Sequence, residues 1–214
     1  MTETITILGS GNMARGIGTR AVAAGRTLQI LSRDAEQAAA LAAELGANIT
    51  SGSVDSVPAG DIIVLAVPYN AARELVATYG AALAGKTVVD ISNPINFATF
   101  DSLSVAPGTS AAEELAALAA PGVTVVKAFN TTFAGTLVEG SVAGVPLDVF
   151  VAGDSDEAKA SISAFIADAG LRAIDAGPLR RARELEGFQL LIMTLQLNPA
   201  HESFNWNTAV KVLA

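Results

Sequence analysis

The stretch ITILGSGNMARGIG, residues 5–18, has the residue types and spacing of a phosphate-binding turn. Four apolar or β-branched residues run into Gly9-Ser10-Gly11, and Ala14 stands where a third glycine could. Gly9 would end the strand in a sharp turn. Gly11 would let the backbone approach a diphosphate with no side chain between, and Ala14 would let the following helix lie close to the strand. The amides of residues 11–13, at a helix N-terminus, would then meet a phosphate with partial positive charge. The spacing alone also fits a plain glycine-rich corner. Its place, after the first strand and at the head of an alternating chain, argues for a nucleotide.

Which nucleotide depends on the end of the second strand. A site for NAD usually has an acid there, to grip the ribose hydroxyls. This chain has ILSRD, so Ser32 and Arg33 come first and Asp34 only afterwards. A hydroxyl and a guanidinium fork suit a 2′-phosphate, which predicts NADP(H). The plainer reading makes Arg33 a solvated loop charge. Asp34 has a role of its own, capping the helix at 34–45 with Gln37 in the box position.

Three later strand ends should border the nicotinamide half. LAVPYN places Val67 and Pro68 at one exit, and DISNPIN places Ser92, Asn93 and Pro94 at the next. KAFNTTFA puts Asn130 and Thr131 at a third. Strand-terminating prolines are common in any sheet, so each exit taken singly also reads as ordinary structure.

A proton relay is harder to find. His201, the single histidine, lies in a tail and reads as a surface residue. Tyr69 and Tyr79 fall on the helix after the fourth strand, and Lys127 lies inside a strand, where a structural or electrostatic role is expected. No residue pattern resembles a metal site, since the carboxylates are scattered along helices. Dinucleotide binding without an evident acid or base points to hydride transfer to another redox ring, where the protein mainly holds two atoms in near-attack geometry.

The elements that must position these groups alternate. Strand-like runs occupy 4–9, 27–31, 61–67, 86–91, 123–129, 147–153 and 171–176, with helical stretches at 12–24, 34–45, 69–83, 110–119 and 155–169. This is an α/β pattern of the Rossmann type: a doubly wound, mostly parallel sheet with strand C-termini along one edge. After Gly177-Pro178, residues 179–198 read as one long helix, polar first and apolar later. A dinucleotide domain over residues 1–130 and a small C-terminal α/β portion over 131–214 are expected, with a soft boundary.

Composition narrows the classes further. The 214 residues are 51% hydrophobic and 5% aromatic, with net charge −8 and no cysteine. An acidic chain poor in aromatics argues against nucleic acid. Disulfides and thiol catalysis are excluded. No apolar run nears the roughly 18 residues of a membrane span, and no secretion signal precedes the first strand, so a cytoplasmic location is expected. Apolar residues late in the long helix (Phe188, Leu190, Leu191, Ile192, Leu195) and a tail containing Trp206 predict a homodimer. Trp206 itself is expected in core packing, at that interface or beside the substrate.

ITILGSGNMARGIG, the Ser32-Arg33 pair, VLAVPY and above all GLRAIDAGPLRRARELEGFQLLIMTL (170–195) resemble the NADPH-dependent deazaflavin (coenzyme F(420)) oxidoreductases and their dinucleotide-binding relatives. The likeness covers nearly the whole chain, and the segment before the long helix is its most specific part. It implies a Rossmann domain holding NADP and a small C-terminal portion closing a cleft in which the deazaflavin stacks on the nicotinamide. The reductase domain of membrane ferric reductases shares this architecture, with a flavin in that place. By position, Gly9, Ser10, Gly11, Asn12 and Met13 would take the pyrophosphate and Ser32 with Arg33 the 2′-phosphate. Val67, Pro68, Asn93, Pro94 and Asn130 would border the nicotinamide. A small-molecule redox acceptor, deazaflavin or flavin, is the implied second substrate. Two other readings stay open: an NADPH-dependent imine or carbonyl reductase, and a non-catalytic NADP(H) sensor.

Overall fold

Strands that are apolar at every position need cover on both faces, and the central strands here have it. β1 (Ile5–Leu8) and β4 (Ile62–Leu65) are buried throughout. β2 (Leu28–Ser32), β5 (Thr87–Asp90) and β6 (Thr124–Lys127) are nearly so. The computed structural model describes residues 3–213. Alternate residues of each strand serve opposite layers. Ile62 and Val64 join Ile17 and Ala21 of α1 (Asn12–Ala23), Leu41 of α2 (Ala35–Leu45) and Ile162 and Phe165 of α6 (Asp156–Asp168). Ile63 and Leu65 join Val76 of α3 (Tyr69–Tyr79) and Leu115 of α4 (Ala111–Leu118).

Among the described residues the sheet has eight strands in the order β10-β9-β6-β5-β4-β1-β2-β3, with β3 at Thr50–Ser53, β9 at Asp148–Gly153 and β10 at Arg172–Gly177. The doubly wound, mostly parallel architecture expected from the alternation is therefore present. One refinement concerns direction. β9 runs antiparallel to β6, with Val126 opposite Gly153 and Lys127 opposite Ala152, and β10 is parallel to β9. Among the described strands only β1 to β6 deliver their C-terminal ends to the ligand edge; the last two run the other way, and the chain between β6 and β9 passes through a short helix and a hairpin, β7 (Ser141–Val142) and β8 (Val145–Pro146).

Several local readings are corrected. β3 has no apolar residue to signal it and forms an exposed edge. α5 (Ala134–Glu139) spans six residues, too few for a periodic pattern. The helix expected over 69–83 is α3 followed by a 3₁₀ turn at Gly80–Leu83, and the one expected over 179–198 is a 3₁₀ turn at Leu179–Arg181 followed by α7 (Ala182–Leu197). Asp34 caps α2 as expected, accepting from the N–H groups of Glu36 at 3.0 Å and Gln37 at 3.1 Å. Gln37 Nε2 meets the Asp34 carboxylate at 2.9 Å, so its side chain steadies the cap itself.

The C-terminal tail is tied down at one buried carboxylate. Asp148 accepts from Arg172 Nε at 2.8 Å, from Lys211 Nζ at 2.5 Å and from the Val212 N–H at 2.8 Å. Burial pushes its pKa up, but the hydrogen bonds from Arg172, Lys211 and Val212 outweigh that and bring it down to about 2. A depressed carboxylate stabilises the fold above its unfolded pKa, and that contribution is lost as pH falls through the folded value. Between about pH 4 and pH 2, the wild-type melting temperature is therefore expected to fall more steeply than that of Asp148→Asn. Parallel pH profiles for the two proteins would contradict this.

Candidate active site

The exits of β1, β4, β5 and β6 converge on one sheet edge, where helices begin and backbone amides are left without intrahelical partners. Two adjoining cavities open there. The larger, about 610 Å³, is lined by Gly11, Asn12, Met13, Val67, Pro68, Asn93 and Pro94, and extends to Tyr69, Arg73 and Glu114. The smaller, about 380 Å³, is lined by Asn130, Phe133, Gln189, Trp206 and neighbours. Asn12, Met13, Ile91, Asn93 and Met193 belong to both, so the two form one cleft.

The two glycines of the opening turn are there for different reasons. Gly9 has φ +122°, and a Cβ would sit 2.3 Å from the Ala66 carbonyl oxygen, so only glycine fits. At Gly11 a Cβ would meet nothing within 4 Å. Packing does not require glycine at this position; approach of a ligand would. Gly11 is the N-cap of α1 and supplies no side-chain hydrogen bond, so the first-turn amides of this helix remain available. Ala14, in the first turn of α1, is fully buried, as the spacing anticipates.

Ser10 and Ser32 meet across the β1 and β2 exits, Oγ to Oγ at 3.0 Å. Ser32 Oγ also accepts from the Asp34 N–H at 3.4 Å. Beside them Arg33 is exposed and makes no salt bridge among the described residues. A hydroxyl pair and an uncommitted guanidinium thus stand at the end of β2, one loop from the glycine cradle. This is chemistry that suits a phosphate monoester on a ribose.

The β5 and β6 exits are locked together. Asn93 Nδ2 donates to the Asn130 carbonyl at 2.9 Å, and Asn130 Nδ2 returns a bond to Asn93 Oδ1 at 2.9 Å. Just before Asn130 the chain passes through Phe129 at φ +62°, a conformation uncommon outside glycine. Thr132 holds that turn by donating to the Phe129 carbonyl from Oγ1 at 2.7 Å and from its N–H at 3.1 Å.

Behind this wall lies an ionic cluster whose outline the sequence does not reveal. In the β5–β6 register Asp90 is the direct partner of Lys127. Lys127 Nζ donates to Asp90 Oδ2 at 2.7 Å, to Glu186 Oε1 at 2.7 Å and to the Ser92 carbonyl at 2.5 Å. All three side chains are fully buried. An ammonium has three protons, and all three are used here, so Lys127 is a structural cation and no proton donor to the cleft. Glu186 reaches from α7 and also accepts from the N–H groups of Ala111 at 3.0 Å and Ala112 at 3.5 Å, at the start of α4. Burial pushes the Glu186 carboxyl up and Lys127 pulls it back; every partner is a donor, which suits the ionised form. Asn130 Nδ2 donates to the Leu185 carbonyl at 3.2 Å, so α7 is joined to the β6 exit a second time.

Remaining candidates sort themselves by contact. Tyr69 OH donates to the Glu114 carboxylate, and burial followed by that neighbour holds its pKa above the ordinary tyrosine range. Tyr79 OH donates to the Val54 carbonyl at 2.6 Å, away from the cleft, and burial pushes its pKa up to about 12. His201 stacks on Phe204, half-buried. Trp206 does not enter the core: it is 39% exposed, packs edge-on against Phe133 with centroids 5.6 Å apart, and borders the smaller cavity. Among the described residues no group of three or more His, Asp or Glu is placed to hold a metal.

Known proteins resemble the chain in sequence and in fold. The family described as NADP oxidoreductase, coenzyme F420-dependent, matches residues 4–94. The rat metalloreductase STEAP3 is 34% identical over 189 residues, which is 88% of this chain; the chain spans 37% of that protein's length. The F420-dependent NADP reductase of Methanothermobacter thermautotrophicus is 30% identical over 203 residues, covering 88% of this chain and 87% of the relative. A crystal structure from Arthrobacter sp. FB24, provisionally named an F420-dependent NADP-reductase, superposes with TM-score 0.80 at 26% identity, over 98% of this chain and 100% of the other. With a relative 30% identical over 87% of its own length, and the family's model matching residues 4–94, the chain belongs to the family of coenzyme F420-dependent NADP oxidoreductases.

Proposed function

We propose that the chain transfers hydride between NADPH and a planar redox ring of the deazaflavin or flavin class. The observation that carries this reading is the continuous cleft, which begins at an open glycine cradle and ends at the locked Asn93–Asn130 pair. Gly9, Ser10, Gly11, Asn12 and Met13 hold the diphosphate on the first-turn amides of α1. Ser32 and Arg33 hold the 2′-phosphate, and Val67, Pro68, Asn93, Pro94 and Asn130 border the nicotinamide. NADPH held there would supply a hydride from its nicotinamide ring, leaving NADP⁺, and a solvent proton would complete reduction of the acceptor. The protein orients the rings and excludes water. The Tyr69 hydroxyl is taken up in donating to the Glu114 carboxylate, which favours this reaction over one needing a side-chain relay.

In this reading residues 1–130 hold the dinucleotide, and residues 131–214 close the cleft over the acceptor. A homodimer is supported by apolar residues that α7 turns outward, Phe188 at 37%, Leu191 at 55% and Leu197 at 52% exposure. Sedimentation at micromolar concentration tests it, and a monomer would sink it. Among the described residues no helix is long and apolar enough to cross a membrane; a cytoplasmic location is part of the proposal.

The test is NADPH oxidation, followed spectrophotometrically, with deazaflavin, flavin and quinone acceptors. Turnover with a ring acceptor is expected; binding of NADPH without reduction of any of them would instead favour the sensor reading. Arg33→Ser should raise the Kd for NADPH about 30-fold, the loss of roughly 2 kcal/mol of charge-assisted hydrogen bonding, and leave NADH unchanged. Equal weakening of both coenzymes would remove Arg33 from the 2′-phosphate site.

A further inference from the structure

Beyond α7 the chain from residue 199 to 213 forms no helix or strand, yet it is not loose on the surface. Among the described residues no backbone group from Asn205 to Leu213 bonds to another backbone group. Side chains therefore decide where this segment lies, and a segment held that way opens at a lower free energy than one in a ladder. Hydrogen bonds anchor it at two places. Near α7 the Trp206 N–H donates to Gln196 Oε1 at 3.1 Å. At the far end Lys211 Nζ donates to Asp148 Oδ1 at 2.5 Å and to the Pro146 carbonyl at 2.9 Å. Beside it the Val212 N–H meets Asp148 Oδ2 at 2.8 Å, and Arg172 donates to the Val212 carbonyl.

Between these anchors the segment lies on the first turn of α5. Asn207 Oδ1 stands 2.7 Å from where a Cβ on Gly135 would be, and the Trp206 ring packs edge-on against Phe133. Trp206 has φ +65°, a conformation that persists outside glycine only where the surroundings impose it. The Thr208 hydroxyl is covered and has no partner among the described residues, so the middle of the segment fits its seat imperfectly. The ends hold the middle in place, as a strap. Trp206 and Asn207 belong to the wall of the smaller cavity, with Phe133 from the α5 N-cap and Gln189 and Met193 from α7. Helices fix most of that wall; the part that Trp206 supplies is fixed by the bonds at Asp148.

Resting on the hydride-transfer reading, we propose that Lys211 is a positioning residue: it latches the strap to Asp148 and so holds Trp206 as a closing wall of the smaller cavity. Lys211 itself lines neither cavity, so its effect on a bound substrate passes through Trp206. The latch can be weakened without loss of the fold, because Asp148 keeps Arg172 as its cation when Lys211 is replaced.

Amide hydrogen exchange and turnover together test this. In Lys211→Met the Trp206 and Val212 amides should both exchange about tenfold faster, the population shift expected from losing one charge-assisted hydrogen bond. The α7 amides should keep their protection, and Lys211→Arg, which retains the cation, should restore the wild-type rates. Apparent affinity scales with the closed fraction, so the KM for riboflavin should rise by up to about tenfold in Lys211→Met. Its kcat and the NADPH Kd should stay unchanged, since saturating riboflavin draws the strap shut. Faster exchange at Val212 alone would confine the latch to its own end and overturn the proposal. Faster exchange throughout α7 would make Lys211 a general stability residue and overturn it too. So would release of Trp206 with an unchanged KM. Trp206 is the only tryptophan in the chain, so its quenching reads riboflavin binding directly. Binding without NADPH-driven reduction would sink the hydride-transfer reading, and a raised riboflavin Kd in Lys211→Met would still support the strap. Turnover with exchange unaltered in Lys211→Met would do the reverse.

Discussion

Lys127→Met is expected to destabilise the protein by about 3–5 kcal/mol, the cost of leaving buried carboxylates without their cation. Asp90 and Glu186 are both fully buried, and Lys127 is the cation they share. Without it, Glu186 keeps only the α4 amides and Asp90 only the Ser92 N–H at 2.9 Å. For a chain of this size the melting temperature should drop by about 10 °C. The cause is separable from simple loss of packing, because methionine replaces most of the lysine volume. If uncompensated charge is what hurts, Lys127→Met/Glu186→Gln should recover at least about 1 kcal/mol relative to Lys127→Met alone. Thermal unfolding of the three proteins decides. A loss below about 1 kcal/mol for Lys127→Met, or no recovery in the double variant, would mean that the cluster is not the cross-brace that its geometry describes.

Coenzyme affinity should respond as sharply to a change with almost no effect on the fold. Gly11→Val places a branched side chain where the structure has open space, at a backbone conformation that any residue adopts (φ −82°, ψ −171°). Stability should change by no more than about 1 kcal/mol, the difference between glycine and an aliphatic residue at an N-cap. Binding of NADPH should weaken about a hundredfold, or roughly 2.7 kcal/mol, because the side chain separates the diphosphate from the first-turn amides of α1. Gly9→Ala provides the contrast: its Cβ would collide with the Ala66 carbonyl, so it should lower the melting temperature whatever is bound. Titration calorimetry beside thermal melts separates the two positions. Unchanged NADPH affinity in Gly11→Val would remove the diphosphate from the cradle.

These experiments concern different depths of the same site. The residues proposed to meet the coenzyme are readable in order along the chain because each lies at or just past the end of a strand, and strand ends announce themselves by apolar runs that stop at Gly, Ser, Asn or Pro. Gly9, Gly11, Ser32, Pro68, Asn93 and Asn130 are all of this kind. The polar edge strand β3 and the six-residue α5 were silent for the opposite reason: neither has enough apolar periodicity to stand out.

α7 misleads more interestingly. Its apolar residues Phe188 and Leu191 are exposed, while Glu186, Gln189 and Gln196 are buried. The buried polar residues follow helical spacing, but on the side that meets an ionic cluster and a cavity. A pattern reader that expects apolar residues inside would turn the helix the wrong way round.

Local chemistry alone was enough to specify the alternating α/β order, the glycine turn and the hydroxyl–guanidinium pair past β2, because each depends on neighbours a few residues apart. The Lys127–Glu186 brace, the Asn130 bonds to Asn93 and Leu185, and the reversal of β9 depend on residues tens of positions apart meeting in space. No spacing rule encodes such meetings. They arise when helix packing brings a carboxylate or an amide to a partner, and burial then makes the pairing, or its absence, energetically decisive.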